Sequence, residues 1–316
     1  MMMSGNVWTM KFPVPVEFGQ GCVAKMPEYL AGVERVLLVT GRTAMRKAGV
    51  TAQLCELFDK AGCEWRLFED ISSDPDHLEI EQAAIVARSF DAHAIVGCGG
   101  GSALDAAKAI AVAASHQGRI LDYIINCSRQ ITAATLPIIA INSTSGTGSH
   151  VGRAAVISDK KRRIKRVLIS DHLYPRAAFC DSLILRHMPR EVTVATGFDA
   201  FAHAIEGYIT QIENPMGNLC AVEAMRIIID TLPRVMVNGN DLALRERMAW
   251  ADTLAGICLA ANSISTPHVL SMIIGGRYGA THGPAIASVM VSWLEHLLDS
   301  GSAKLAEIGR FLGGRS

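Results

Sequence analysis

Two hydrophobic patterns divide the chain near residue 185. Before it, short continuous apolar runs alternate with amphipathic stretches. Residues 35–40, 64–68, 92–97 and 136–141 read as strands, and runs this evenly apolar belong to strands buried on both faces of a parallel sheet. Between them, 22–31, 50–61 (with Gly62 as its C-terminal cap) and 78–89 carry helical spacing. Residues 12–18 read as an edge strand, where Pro13 and Pro15 are tolerated. Strands over 154–158 and 166–170 flank a turn at Lys160–Arg163, and 177–181 is a last short strand. The alternation predicts an α/β domain with right-handed crossovers. From Met188 onward only helical patterns remain, over about 191–212, 216–232, 241–261, 266–274, 284–298 and 302–312. The expected architecture is an N-terminal α/β domain (1–185) followed by an all-α domain (186–316).

The third strand of the first domain runs into Gly97-Cys98-Gly99-Gly100-Gly101-Ser102 and then a strongly helical segment. Free N–H groups at such a turn, together with a helix N-terminus, suit a pyrophosphate. Ser102 and Asp105 have the spacing of a capping box. The G-x-G-x-x-G pattern fails at its last position, and the turn belongs to the third strand rather than the first, so this is not an ordinary dinucleotide fingerprint. A tight capped turn is the alternative. The strand over 136–141 delivers a second small-residue segment, Asn142 to Ser149, which allows close approach of a ligand.

In the helical half, Asp199 and His203 lie one turn apart on an apolar helix, and His268 and His282 bracket Gly275-Gly276. Three imidazoles and one carboxylate suit Fe or Zn. Taken singly, an Asp-x3-His pair is more often a cap, an ion pair or a satisfied core histidine than a metal site.

Composition narrows the partners. Thirty basic and thirty acidic residues cancel, so no overall field points to nucleic acid or an anionic membrane. The densest charge run, Lys160–Arg163, is short. Eight cysteines are scattered singly with no C-x-x-C, as reduced core thiols are. Met1 to Gly5 lacks a signal-peptide pattern. The expectation is a cytoplasmic protein.

Four motifs in order now carry a resemblance. Gly99-Gly100-Gly101-Ser102 with Asp105 and Lys108 is similar to GGGSxxDxxK. Thr144 to Ser149 is similar to TxGTGSE, Asp199 to Glu206 to DAxxHAxE, and His282-Gly283 to an HG element. From about residue 12 to its end the chain resembles the iron-containing (group III) alcohol dehydrogenases, whose first domain is dehydroquinate synthase-like. The resemblance implies a divalent metal, Fe2+ or Zn2+, on Asp199, His203, His268 and His282, the catalytic set. It implies NAD or NADP on Gly41, Arg42, Gly99, Gly100, Gly101, Ser102, Asp105, Thr144, Thr147, Ser149, Lys165 and Leu183. It further implies a small alcohol or aldehyde as substrate, a homodimer, and hydride transfer with the metal polarising the substrate oxygen.

Departures qualify this. Met272 stands where many members have a further histidine, and His150 where the TxGTGSE segment has Glu. A catalytically impaired nucleotide-binding relative is therefore the alternative, alongside a glycerol dehydrogenase or maleylacetate-reductase-like enzyme. Gly41 replaces the Asp of NAD-preferring relatives and Arg42 stands beside it, which favours a 2′-phosphate and hence NADP. Arg153 is a candidate for meeting an anionic substrate, although a surface role is the favoured reading. Members usually continue with more helices beyond the position of Ser316.

Overall fold

The computed structural model describes residues 7–124, 128–212, 214–299 and 303–313. Met1–Gly5, Cys127, residue 302 and Gly314–Ser316 lie outside the described residues.

The strands are β1 (Val16–Phe18), β2 (Arg35–Gly41), β3 (Glu64–Ile71), β4 (Ala94–Gly99), β5 (Ile138–Asn142), β6 (Ala154–Asp159), β7 (Ile164–Ile169) and β8 (Ala177–Cys180). The helices are α1 (Ala44–Lys47), α2 (Val50–Lys60), α3 (His77–Ser89), α4 (Gly101–Ser115), α5 (Ser182–Leu185), α6 (Arg190–Ile209), α7 (Pro215–Val237), α8 (Leu242–Asn262), α9 (Thr266–Tyr278), α10 (His282–Leu298) and α11 (Ala303–Phe311). The chain forms two compact units. One holds Val14–Thr144 and Ser149–Met188. The other holds the described residues of Met1–Pro13, Ser145–Gly148 and Pro189–Ser316.

In the first unit, six strands pair in the order β1-β8-β5-β4-β2-β3, every pair parallel. Alternate residues of β2 show why its run is so apolar. Leu37 and Val39 enter one core with α3 and α4, and Val36 and Leu38 enter another with α2. Such a sheet has no wet face, so period-two alternation disappears. β6 and β7 form a separate antiparallel hairpin.

Several boundaries differ from the sequence expectation. The edge strand shrinks to β1, since prolines donate no ladder bond. Residues Cys22–Leu30 form a 3-10 helix, with Pro27 inside it. β4 extends through Gly97 to Gly99, and α4 opens at Gly101. Ser102 is therefore not a cap: Gly100 is the N-cap, and the Ser102 hydroxyl accepts from the Asp74 N–H at 3.2 Å. A capping box does form at the start of α3, between the N-cap Asp76 and Glu79.

The second unit is helical. α7 continues past Pro233, and α9 continues through Gly275 and Gly276 before stopping at Gly279, whose φ is 71°. Among the described residues no single helix is long and apolar enough to cross a membrane. Only the bent pair α8–α9 passes on length and composition, and α8 packs most of its side chains inside the unit. All seven described cysteines are free thiols.

Candidate metal centre and nucleotide site

α6 presents Asp199, His203 and Glu206 along one buried face, as spacings of four and three residues require. α9 adds His268 in its first turn and α10 opens on His282. Ligand atoms of Asp199, His268 and His282 all lie within 4.8 Å of one another. The focus is Asp199 Oδ1, which lies 3.2 Å from His268 Nε2 and 3.5 Å from His282 Nε2. His203 stands outside that three-member set. Its ring stacks on His268 at 4.2 Å, and its Nδ1 lies 3.9 Å from Asp199 Oδ1.

Charge in this cluster follows from burial and pairing. Burial alone raises the Asp199 carboxyl, but the imidazoles around it outweigh that and hold it well below the carboxylate range. Burial lowers His203 to about 4, helped by the positive charge of His268. His268 goes the other way: burial lowers it, but hydrogen bonds to Asp199 and Glu206 lift it to about 9. Pairing with Asp199 and Glu206 thus favours the charged ring of His268, whereas burial favours the neutral ring of His203. One carboxylate and three imidazoles, all but His282 buried, form a donor set that fits a borderline divalent ion.

Glu206 is the residue to which sequence reasoning gave no role. It is fully buried, and its Oε1 lies 2.5 Å from His268 Nδ1. The signal was its place in the same helix, one turn beyond His203. The segment Ser145–Gly148 also serves this unit. The Gly146 carbonyl accepts from His203 Nδ1 at 3.1 Å, and the Gly148 N–H donates to the buried Asp252 at 2.8 Å. A Cβ on Gly148 would sit 2.5 Å from the α8 backbone at Gly256, so the segment fits only with glycine there.

In the α/β unit, the β4–α4 turn and Gly41-Arg42 lie at the C-terminal ends of adjacent strands. The chain leaves β2 toward β3 on one side and reaches β4 on the other. Ligands of open α/β sheets bind at such switch points. A Cβ on Gly100 would meet Thr144 Cγ2 at 2.9 Å, and the buried Thr144 Oγ1 has no hydrogen-bond partner among the described residues. A glycine-only cradle beside an unspent hydroxyl and a helix N-terminus fits a pyrophosphate.

Other members of the expected nucleotide set are engaged within the protein. Asp105 accepts from Ser149 Oγ at 2.6 Å and from Val156 N–H at 2.8 Å. Lys108, buried in the same network, donates to Ser149 O, Ser149 Oγ and Ala154 O. Lys165 pairs with Asp74 at 2.7 Å. The Leu183 N–H donates to Asp181, and its side chain is exposed. Thr147 is half-buried in the Ser145–Gly148 segment. Arg42 is exposed, with Glu79 3.8 Å away. Arg153 is a surface residue paired with Asp171 at 2.6 Å.

His150 is fully buried beside Asn142, with 3.2 Å between Nδ1 and the amide nitrogen. Burial, and then the charge of Lys108, lower it from 6.5 to about 3. Unfolding frees it to take a proton below 6.5, so its contribution is complete above that pH and is lost as the pH falls toward 3. At pH 5 this costs about 2 kcal/mol. A His150→Gln variant should therefore lose less stability than the parent between pH 7 and pH 5, read from urea midpoints. An equal loss in both would remove His150 as the source.

Residues 13–182 match the family model described as iron-containing alcohol dehydrogenase, and residues 193–316 match that of the Fe-containing alcohol dehydrogenase family, C-terminal. The chain is 31% identical to an NAD-dependent methanol dehydrogenase of Bacillus methanolicus over 93% of its own length and 77% of that protein. It is 32% identical to a 1,3-propanediol dehydrogenase of Citrobacter freundii over 94% and 77%. Among solved structures it is similar to the NADH-dependent butanol dehydrogenase A of Thermotoga maritima, with a TM-score of 0.92 and 28% identity over 98% of this chain and 79% of that one. With both family models matched in order across the two units, the chain belongs to the iron-containing alcohol dehydrogenase family and is an oxidoreductase of the alcohol dehydrogenase class.

Proposed function

We propose that this protein holds a divalent cation on Asp199, His268 and His282, with His203 as the fourth donor, and binds a nicotinamide nucleotide on the β4–α4 turn. Its reaction is hydride transfer between that nucleotide and a small alcohol or aldehyde. The convergence of Asp199, His268 and His282 from three separate helices supports this reading most. A cation in this set supplies Lewis acidity toward the substrate oxygen, and the nicotinamide supplies the redox partner.

The chain's own residues do the rest. Asp199 brings the negative charge that draws a cation into a buried site. His268 is oriented by Glu206, and His203 by the Gly146 carbonyl. Gly99 to Ser102 and Thr144 offer N–H and hydroxyl donors to the pyrophosphate. Arg42 extends from the end of β2 with no side chain on Gly41 to oppose it, which favours NADP over NAD. Free thiols support a cytoplasmic location. Exposed Val269, Ile273, Val291 and Leu298 on α9 and α10 support a homodimer. A second reading, impaired turnover, rests on Met272, which brings no proton-transfer group to α9.

One assay separates these. Protein loaded with Fe2+ or Zn2+ should oxidise NADPH against short aldehydes, lose this with chelator and regain it on reloading, with kcat/KM higher for NADPH than NADH. Equal values or a preference for NADH would refute the Arg42 argument. Loaded protein that binds nucleotide but turns over no aldehyde would establish the impaired reading.

A further inference from the structure

We propose that Glu206 is a positioning residue of the metal centre: it fixes which nitrogen of His268 faces the cation. The inference rests on the metal reading above and goes beyond its ligand set.

The geometry leaves the carboxylate no spare oxygen. Oε1 takes the His268 Nδ1 at 2.5 Å. Oε2 accepts from Ser265 N–H at 2.9 Å, from Ser265 Oγ at 3.0 Å and from His268 N–H at 3.5 Å. Glu206 therefore does two things from α6. It caps the first turn of α9, whose N-cap Ser265 makes no side-chain cap of its own. It also holds a proton on Nδ1 of His268, because a carboxylate only accepts. Without a cation Nε2 also donates, to Asp199 Oδ1 3.2 Å away, but with Nδ1 committed to Glu206 it is Nε2 that gives up its proton when a cation binds. A carboxylate behind a ligating histidine also raises its basicity, and loss of such a partner typically costs 10–100-fold in metal affinity.

Glutamine at this position cannot reproduce both roles. Three donors converge on the Oε2 site, so the amide carbonyl must go there. The NH2 then faces His268 Nδ1, which must accept. The imidazole then keeps its one proton on Nε2, the nitrogen that the cation needs. Glu206→Gln is thus nearly isosteric yet inverts the tautomer.

The test compares Glu206→Gln with Ser265→Ala, which weakens only the capping half. Metal affinity is measured with Zn2+ by chelator competition, stability by thermal melting, and the tautomer by 15N NMR of His268. Glu206→Gln should bind Zn2+ 10–100-fold more weakly, with the His268 proton on Nε2. Ser265→Ala should melt lower with Zn2+ affinity within about threefold of the parent, far less than the loss of an outer-shell partner brings. A Glu206→Gln protein with parental affinity, or equal affinity losses in both variants, would overturn the proposal and leave Glu206 a cap only. Should Glu206→Gln not fold, the parent decides: a His268 without a proton on Nδ1 would overturn it. A parent that takes up no Zn2+ or Fe2+ would sink the metal reading instead, while the tautomer measurement still judges Glu206.

Discussion

Asp199→Asn should reduce divalent-metal affinity by more than about 100-fold, and dehydrogenase activity with it. Loss of a partner behind a ligand already costs 10–100-fold, and Asp199 stands in front. Its Oδ1 is the atom that His268 and His282 both face, at 3.2 and 3.5 Å. An amide keeps the shape but removes the charge that offsets the burial of a cation. It also presents either a neutral oxygen or an NH2 to the two rings. Metal content after dialysis against a weak chelator, with nucleotide binding as a control for folding, checks this. A variant that retains one equivalent of metal at parental affinity would show that the three helices converge for packing reasons alone.

The second large effect lies in the other unit. Gly99→Ala should destabilise the protein by about 2–6 kcal/mol and weaken nucleotide binding. Gly99 has φ of 152°, which L side chains rarely adopt, and a Cβ there would stand 2.7 Å from the Ala103 Cβ on α4. Backbone strain contributes about 1–3 kcal/mol and overpacking another 1–3 kcal/mol. Because the last residue of β4 and the first turn of α4 must part to admit the methyl, the N–H groups of the turn lose their common aim. Gly309→Ala on α11 is the contrast: no atom lies within 4 Å of its would-be Cβ. That change should be neutral or stabilising by about 0.5–1 kcal/mol. Thermal melts of the two variants, with fluorescence titration of NADPH, decide between a special backbone position and a general intolerance of change in glycine-rich segments. Similar melts for both would refute the argument.

The parallel sheet was legible because strands buried on both faces leave unbroken apolar runs, and β2 and β5 are such runs. β4 was displaced by two residues because glycine reads as a turn. Here Gly97 and Gly99 are strand residues held against α4. The same bias cut α9 at Gly275, whereas the helix persists through both glycines to Gly279. Ser102 was read as a cap from spacing, but the helix begins one residue before it. In the candidate metal centre, residue types in the sequence named Asp199, His268 and His282, whose ligand atoms lie within 4.8 Å of one another. They could not reveal that His203 bonds a main-chain carbonyl. Nor could they reveal that Glu206 works across to another helix, since a partner 62 residues distant leaves no local pattern.

The four residues Ser145–Gly148 have a consequence for how this molecule can be divided. They belong by contact to the helical unit, yet they are encoded amid the strands of the sheet. A single scission near residue 188 would hand one fragment the histidines and the other fragment the carbonyl that orients one of them. Asp252 would likewise be parted from its amide. The half that bears Asp199 and the three histidines is thus not a contiguous stretch of gene, and recombination or permutation that keeps it whole must carry this tetrapeptide along.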